Sequence, residues 1–302
     1  MRTVFISILH YNSNSDTINC LNSLLEAKTE NIKLVTIVLD NGSKEKLKVR
    51  EEDYKEIGLE VMVQEVNLGF TGGHNLIWER VRDRDFDYLL LLNNDSLVGE
   101  DCIQELANAC EEQKVGAVVP KIYFTKGCEF HTTRYTKDEK GRVFWFAGGY
   151  IDWANVESVH IGVDEVDHGQ YDKVEDINFA TGACLLIKKI VLLEIGLFDN
   201  RYFLYYEDAD LGQKIIKNQK RLLYIPKAVV WHNNAGSSGS GSMLHDYYLT
   251  RNKILFGMKY APVRTKAHLI NNGLKLMFQG RTWQKIGARD YFLNKFGKGS
   301  YK

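Results

Sequence analysis

The first hundred residues alternate short apolar runs with segments of helical periodicity, and this alternation constrains the fold more than any other feature. The runs TVFISIL, LVTIVL, LEVMVQEV and DYLLLL start at residues 3, 34, 59 and 87. DTINCLNSLLEA and GHNLIWERVRD, lying between them, carry apolar residues at helical spacing. Strands alternating with helices imply βαβ units, right-handed crossovers and an α/β fold on a mainly parallel sheet. A chain of 302 residues without internal repeats makes one or two domains. No run of 18 apolar residues occurs, so no membrane span is expected. The N-terminus, MRTVFISILHYN, reads as a first strand rather than a signal peptide.

Each apolar run ends in polar residues: HYN with Asn12, DNGS with Asp40 and Asn41, NLGFTGG with Asn67, and NNDS with Asp95. Ligands of open α/β sheets bind along the carboxyl ends of the strands, so four such endings predict a cleft there. Gly69, Gly72 and Gly73 lie between a strand and a helix, where backbone N–H groups can approach a phosphate; tight turning would also account for them. Their spacing is neither G-x-G-x-x-G nor G-x-x-x-x-G-K-[ST], which argues against a dehydrogenase or a P-loop enzyme. Asp95 at the end of a buried strand can hold Mg²⁺ or Mn²⁺ while substrate phosphates complete the coordination. The competing reading makes Asp95 the N-cap of a helix starting near Glu100.

The stretch RYFLYYEDADLG, residues 201–212, sets Glu207, Asp208 and Asp210 beside Tyr202, Phe203, Tyr205 and Tyr206. Carboxylates that close repel one another and are costly to bury. An acidic first turn for the helix pattern DLGQKIIKNQK is one explanation, and catalysis is the other.

ISILHYN, VLDNGS, NLGFTGGHN, LLLLNNDS, FWFAGGYID, FATGACLLIKK, LFDNRYFLYYEDADLG, IPKAVVWH and YYLTRNKILF, taken together over about residues 3–260, resemble the family 2 glycosyltransferases, in particular the rhamnosyltransferase-like branch. The resemblance implies a GT-A-type α/β/α sandwich with one continuous, mainly parallel sheet and a C-terminal helical extension. Residues 1–242 would form the transferase domain, with a nucleotide-sugar half at 1–120 and an acceptor-binding, catalytic half at 121–242. Residues 243–302 would be a basic helical region. Tyr11 would stack on the nucleoside and Asp40 hydrogen-bond to it, with Asn12, Asn67, Gly69, Asn75 and Asn94 also on the donor side. The family's acidic metal motif falls on Asn93-Asn94-Asp95, which keeps only the last carboxylate, and His232 would be the second ligand of Mg²⁺ or Mn²⁺. Asp208 would be the general base, with Glu207 beside it and Asp210 nearby. The aromatic residues around them would pack on sugar faces. The implied donor is dTDP-rhamnose, with a UDP-hexose as the alternative. The implied acceptor is a hydroxyl of a glycan or lipid-linked saccharide in cell-surface polysaccharide synthesis. A nucleotidyltransferase, or a catalytically degenerate nucleotide-sugar or glycan binder, is the alternative reading.

Charge is unevenly spread. Residues 251–302 hold twelve Lys and Arg against Asp290 alone, a net of +11, on a body of net −11. With apolar residues interleaved in ILFGMKY, HLINNGLKLMF and YFLNKF, this region is expected either to dock on an anionic membrane surface or to pack on the body. Its aromatics and the acidic body argue against nucleic acid. Five cysteines with no C-x-x-C pair suggest reduced thiols in the cytoplasm, and the basic C-terminal region suggests peripheral attachment to the inner face of the cell membrane. The polar segment 125–176 is expected to form loops and a small sheet over the cleft, without a metal site at His160, Asp167 and His168. GSSGSGS at 236–242 reads as a lid or a linker.

Overall fold

A computed structural model describes residues 1–233 and 242–301. The four apolar runs are strands β1 (Arg2–His10), β2 (Ile32–Asn41), β3 (Glu60–Gln64) and β4 (Tyr88–Asn93). Helix α1 (Asn14–Leu25) follows β1 and helix α2 (Gly69–Val81) follows β3. The strands are parallel, with β1 between β2 and β4, and β3 outside β2. Leu89, Leu90, Leu91 and Leu92 are all fully buried, as a strand covered on both faces requires.

The chain continues through β5 (Ser96–Val98), α3 (Cys102–Ala109), β6 (Val115–Phe124), β7 (Phe144–Phe146), β8 (Gly149–Asp152), β9 (Glu157–His160), β10 (Glu175–Asp176), β11 (Cys184–Lys188), α4 (Lys189–Ile195), α5 (Glu207–Lys217) and β12 (Arg221–His232). Strand β11 lies between β4 and β6 and runs antiparallel to both, while β12 is parallel to β6. One ten-stranded sheet therefore spans both halves of the expected domain. Segment 125–176 contributes β7 and β10 to that sheet and forms the two-stranded β8–β9 sheet. Its Asp167 is buried against Lys121 (2.8 Å) and the Tyr123 hydroxyl, whereas His160 lies in an aromatic stack with Phe179. No group of three or more metal-ligating side chains forms among the described residues.

Helices α6 (Met243–Tyr260), α7 (Val263–Gln279) and α8 (Thr282–Phe292) close the chain. Of the two expectations for this region, packing on the body is visible. Helix α6 buries Tyr247, Tyr248, Arg251, Asn252 and Phe256 completely, and Phe256 stacks on Trp153. Asp290 of α8 is fully enclosed and accepts hydrogen bonds from the Tyr247 hydroxyl (2.6 Å) and the Ser300 N–H (2.9 Å). Gly287 lets α8 lie against the Tyr247 backbone, where a Cβ would collide with the carbonyl oxygen. Among the described residues no helix is long and apolar enough to cross a membrane. The run 236–242, read as a lid or linker, lies outside the described residues up to Ser242, whose hydroxyl accepts from the His245 N–H at the start of α6.

Candidate functional site

The carboxyl ends of β1, β2 and β4 meet in a polar network. His10 is fully buried; its Nδ1 lies 2.8 Å from the Thr17 hydroxyl, which accepts from Asn94 Nδ2 (2.9 Å). Tyr11 follows, half exposed, with its ring available for stacking, and Asn12 Oδ1 accepts from the Lys44 N–H (2.8 Å). Asp40 differs from expectation in its placement. It has no exposed surface, and its carboxylate accepts from the Ser43 and Leu47 N–H groups at 2.9 and 3.0 Å. Burial alone would raise its pKa, but these two donors hold it below the usual carboxylate range. Its visible role is to shape the loop after β2.

The glycine-rich segment also differs. It is not a loop before the helix but the first turn of α2, which starts at Gly69. The N–H groups expected for a phosphate are engaged within the protein. Gly69 N donates to Asn67 Oδ1 (2.7 Å), and Phe70 N donates to the Phe203 carbonyl (2.9 Å). Gly69 has φ +74°, and a Cβ there would collide with that same carbonyl. Asn75 holds the segment preceding α5: its Nδ2 donates to the Phe198 carbonyl (3.0 Å) and its Oδ1 accepts from the Phe198 N–H (3.0 Å). Gly69 and Asn75 thus join the donor edge to the 198–206 segment, while Asn67 Oδ1 caps the turn into α2.

Asp95 is not an N-cap, because α3 begins at Cys102 and β5 intervenes. Strand β5 pairs antiparallel with β12 in the register Ser96↔His232, and this pairing sets Asp95 Oδ1 3.2 Å from His232 Nε2. Asn93 Nδ2 lies 3.2 Å from the same nitrogen, and Trp145 packs its ring 4.6 Å from the imidazole. Asp95 Oδ1 and Asn233 Oδ1 are buried with no hydrogen-bond partner among the described residues. One carboxylate, one imidazole and unpartnered polar atoms fit a divalent cation that takes its remaining ligands from phosphate oxygens and water. The imidazole favours Mn²⁺ over Mg²⁺.

The acidic cluster is both a helix start and a site. Glu207, Asp208 and Asp210 occupy the first turn of α5, and at about 100° per residue they fan apart. Asp210 turns into the core, where Lys259 pairs with it and with Asp199. Asp208 accepts from the Ala209 N–H (2.8 Å) and the Gly182 N–H (3.2 Å), and its pKa is raised to about 6. The cause is burial, only partly opposed by these backbone donors, and not the neighbouring carboxylate that the sequence suggested. Glu207 is held well above its usual range by burial and then by the charges of Asp208 and Asp210. Gly182 precedes Ala183, whose carbonyl accepts from the Asn93 N–H (2.9 Å), so the start of β11 connects Asp208 to the Asn93-Asn94-Asp95 turn.

Tyr205 and Tyr206 precede the carboxylates, both with φ +70°, a conformation uncommon for residues with side chains. Asn252 Nδ2 holds them there, donating to the Leu204 and Tyr205 carbonyls at 2.9 Å each, while Asn252 Oδ1 accepts from Arg251 Nε (2.9 Å). The aromatic side chains around the carboxylates also pack within the protein. Tyr202 is buried over Asp210, Phe203 stacks on Tyr248 at 5.2 Å, and the Tyr206 hydroxyl donates to the Val156 carbonyl (2.8 Å). Glu207 and Asp208 open onto a cavity of about 580 Å³ whose far walls are Leu249 and Lys253 of α6, Leu269 and Leu276 of α7, and Gln284 of α8.

The sequence pattern described as glycosyl transferase family 2 matches residues 5–164, more than half of the chain. The chain belongs to that family. Among its relatives, the N-acetylglucosaminyl-diphospho-decaprenol L-rhamnosyltransferase of Mycobacterium tuberculosis (strain CDC 1551 / Oshkosh) is 38% identical over 69 residues, 23% of this chain and 22% of that protein. The match therefore spans under a quarter of the mycobacterial relative's length. Rhamnosyltransferase WbbL of Escherichia coli (strain K12) is 24% identical over 229 residues, 74% of this chain and 80% of that one. Two solved structures share the fold. GalNAc-T7 with UDP, GalNAc and Mn²⁺ superposes with TM-score 0.65 at 14% identity, over 97% of this chain and 55% of that one. Staphylococcus aureus TarS 1–349 with UDP-GlcNAc gives 0.58 at 13%, over 96% and 79%. The sheet and its covering helices are thus the GT-A-type fold.

Set against the sequence reading, the family 2 structure brings Asp95 and His232 together, and joins Asp208 to them through Gly182 and Ala183. Other residues were not singled out from the sequence: His10, Thr17, Gly182, Arg251 and Asn252. Asn41, named with Asp40 in DNGS, donates its Nδ2 to the Gly69 carbonyl (3.0 Å). Arg251 and Asn252 lie in TRNK, a pair of polar residues in an apolar helix that turns out to be fully buried.

Proposed function

We propose that this family 2 protein catalyses inverting transfer of a sugar from a nucleoside-diphosphate sugar to an acceptor hydroxyl seated in the cavity beside Asp208. The observation that carries this reading is Asp208 itself, on the wall of a 580 Å³ cavity and one backbone hydrogen bond from the strand that borders the Asp95–His232 pair. A carboxylate with pKa near 6 is ionised at neutral pH and still a serviceable base. Asp208 takes the hydroxyl proton as the acceptor oxygen forms its bond to the anomeric carbon. The bond from that carbon to the diphosphate breaks on the opposite face, and its electron pair leaves with the nucleoside diphosphate. Asp95 and His232 would hold a divalent cation, which when bound neutralises the diphosphate charge. Burial and the charges of Asp208 and Asp210 hold the neighbouring Glu207 well above the usual carboxylate range.

A deoxyhexose donor of the dTDP-rhamnose type is supported by the names of the relatives, with a UDP-hexose next. A saccharide on a lipid carrier suits a cavity with Leu249, Leu269 and Leu276 on its far side, and it fits the name of the mycobacterial relative. The test is calorimetric titration of UDP, dTDP and GDP with and without Mn²⁺ or Mg²⁺, followed by turnover of the matching nucleotide sugar. One diphosphate should bind, more tightly with metal, and its sugar nucleotide should release that diphosphate. Binding of none by folded protein overturns the reading, and pyrophosphate release from a triphosphate would replace it with nucleotidyl transfer.

A further inference from the structure

Helix α7 has two apolar faces. Its inner face is accounted for: Leu269 packs against Gly257, Gly273 lies against Ile254 and Phe292, and Leu276 lines the cavity. Its outer face has no such partner among the described residues. At 3.6 residues per turn, Met277, Ile270, Val263, Leu274, Ala267 and Phe278 follow one another around about 100° of the helix. Val263 is 83% exposed, Leu274 46% and Phe278 76%. A single exposed leucine needs no explanation, but an apolar stripe along a whole helix does.

The stripe is edged by cations. On the same wheel Arg264 and Lys275 lie along one border and Lys266 along the other. None of the three is in an ion pair among the described residues, whereas Lys253, Lys259 and Arg281 of the flanking helices pair with Glu157, Asp199 and Asp246. Apolar residues flanked by unpaired cations, in a region of net +11, complement an anionic bilayer surface: the stripe enters the headgroup layer and the cations meet the phosphates.

We propose that the outer face of α7, centred on Leu274 and Phe278 and edged by Arg264, Lys266 and Lys275, is a docking surface for an anionic lipid bilayer. Its inner face walls the cavity that holds Asp208, so docking brings that cavity to the membrane plane. The purpose of docking rests on the proposed reading that the acceptor is lipid-borne; the docking itself does not.

The test is flotation of the full chain with vesicles of phosphatidylcholine, pure or with one quarter phosphatidylglycerol, in low and high salt. Leu274→Ser/Phe278→Ser and Arg264→Gln/Lys275→Gln are run beside it, with nucleoside diphosphate titration as a check on folding. All four side chains are exposed, so the core is untouched. The expected result is salt-sensitive flotation with the anionic vesicles, weakened on the order of tenfold by the apolar pair and roughly fivefold per cation removed. Variants that float as well as the parent chain overturn the proposal, as does a parent chain that binds nucleotide but does not float. A concentration-dependent dimer abolished by the apolar pair, without flotation, would instead make the stripe a self-association face and also overturn it. Flotation without nucleotide binding supports docking while the transferase reading fails.

Discussion

Asp208→Asn should abolish transfer and yet stabilise the protein at alkaline pH. Asp208 carries a pKa of about 6 against an ordinary 3.8 because its charge is poorly solvated. A shift of about two units corresponds to ~3 kcal/mol of penalty on the ionised form. The sign follows from proton uptake: between pH 3.8 and about 6 the folded state holds a proton that the unfolded chain has released. Stability is therefore highest below the ordinary pKa and falls as pH rises through about 6. Asparagine removes that penalty but has one acceptor oxygen for two donors, Gly182 N and Ala209 N, so one hydrogen bond of ~1 kcal/mol is lost. The partial opening of Asp208 to the cavity screens some of the penalty, leaving a net gain of about 1–2 kcal/mol at pH 8. For a chain of this size that is roughly 2–4 °C in Tm. At pH 4 the penalty is absent and only the lost hydrogen bond remains, so the variant should be less stable than the parent by about 1 kcal/mol. The assay pairs thermal unfolding at pH 4, 6 and 8 with turnover of the nucleotide sugar that binds. Turnover should drop by roughly 10²–10⁴ with nucleoside diphosphate affinity unchanged. A variant destabilised equally at all three pH values would refute the buried-charge argument. One that retains turnover would remove Asp208 as the base.

Asn252→Ala removes two donors to the Leu204 and Tyr205 carbonyls and the acceptor of Arg251 Nε, which should cost about 3–4 kcal/mol in urea unfolding and lower kcat more than donor KM; an unchanged kcat would refute its hold on the carboxylate turn. Gly69→Ala forces a Cβ into the Phe203 carbonyl at φ +74°, and a loss on the order of 2 kcal/mol with impaired turnover is expected, read by thermal unfolding and rate. His232→Ala should weaken Mn²⁺-dependent diphosphate binding on the order of tenfold while leaving metal-free binding as it was; equal affinities with Mn²⁺ would exclude His232 as a ligand. Turnover of the parent chain should rise with pH through about 6 as Asp208 ionises, and a profile flat from pH 5 to 8 would count against that assignment.

What the sequence determined by itself was whatever depends on neighbours along the chain. Strands β1 to β4 and helix α1 were legible because burial imposes a period on consecutive residues, and the acidic first turn of α5 because the helix dipole acts on residues within one turn. The order of the motifs carried the family resemblance, and with it Asp95, His232 and Asp208. Tertiary structure decided which of those polar residues are taken up by partners within the protein. Asp40 stands at a strand end like Tyr11, yet a loop folds over it and its oxygens are taken by Ser43 and Leu47. Three carboxylates crowded in the sequence separate into two that line the cavity, one of them facing Gly182, and a third held by Lys259. Strand β5 has three residues, too few for any period, and only its pairing with β12 sets Asp95 beside His232. The C-terminal helices read as an appendage because composition carries no record of what a helix packs against. Hydrogen bonds from Asn252 to a strained turn nearly fifty residues earlier make α6 part of the site. Periodicity and dipoles act locally and can be read in order, whereas burial and pairing join residues that only the folded chain brings together.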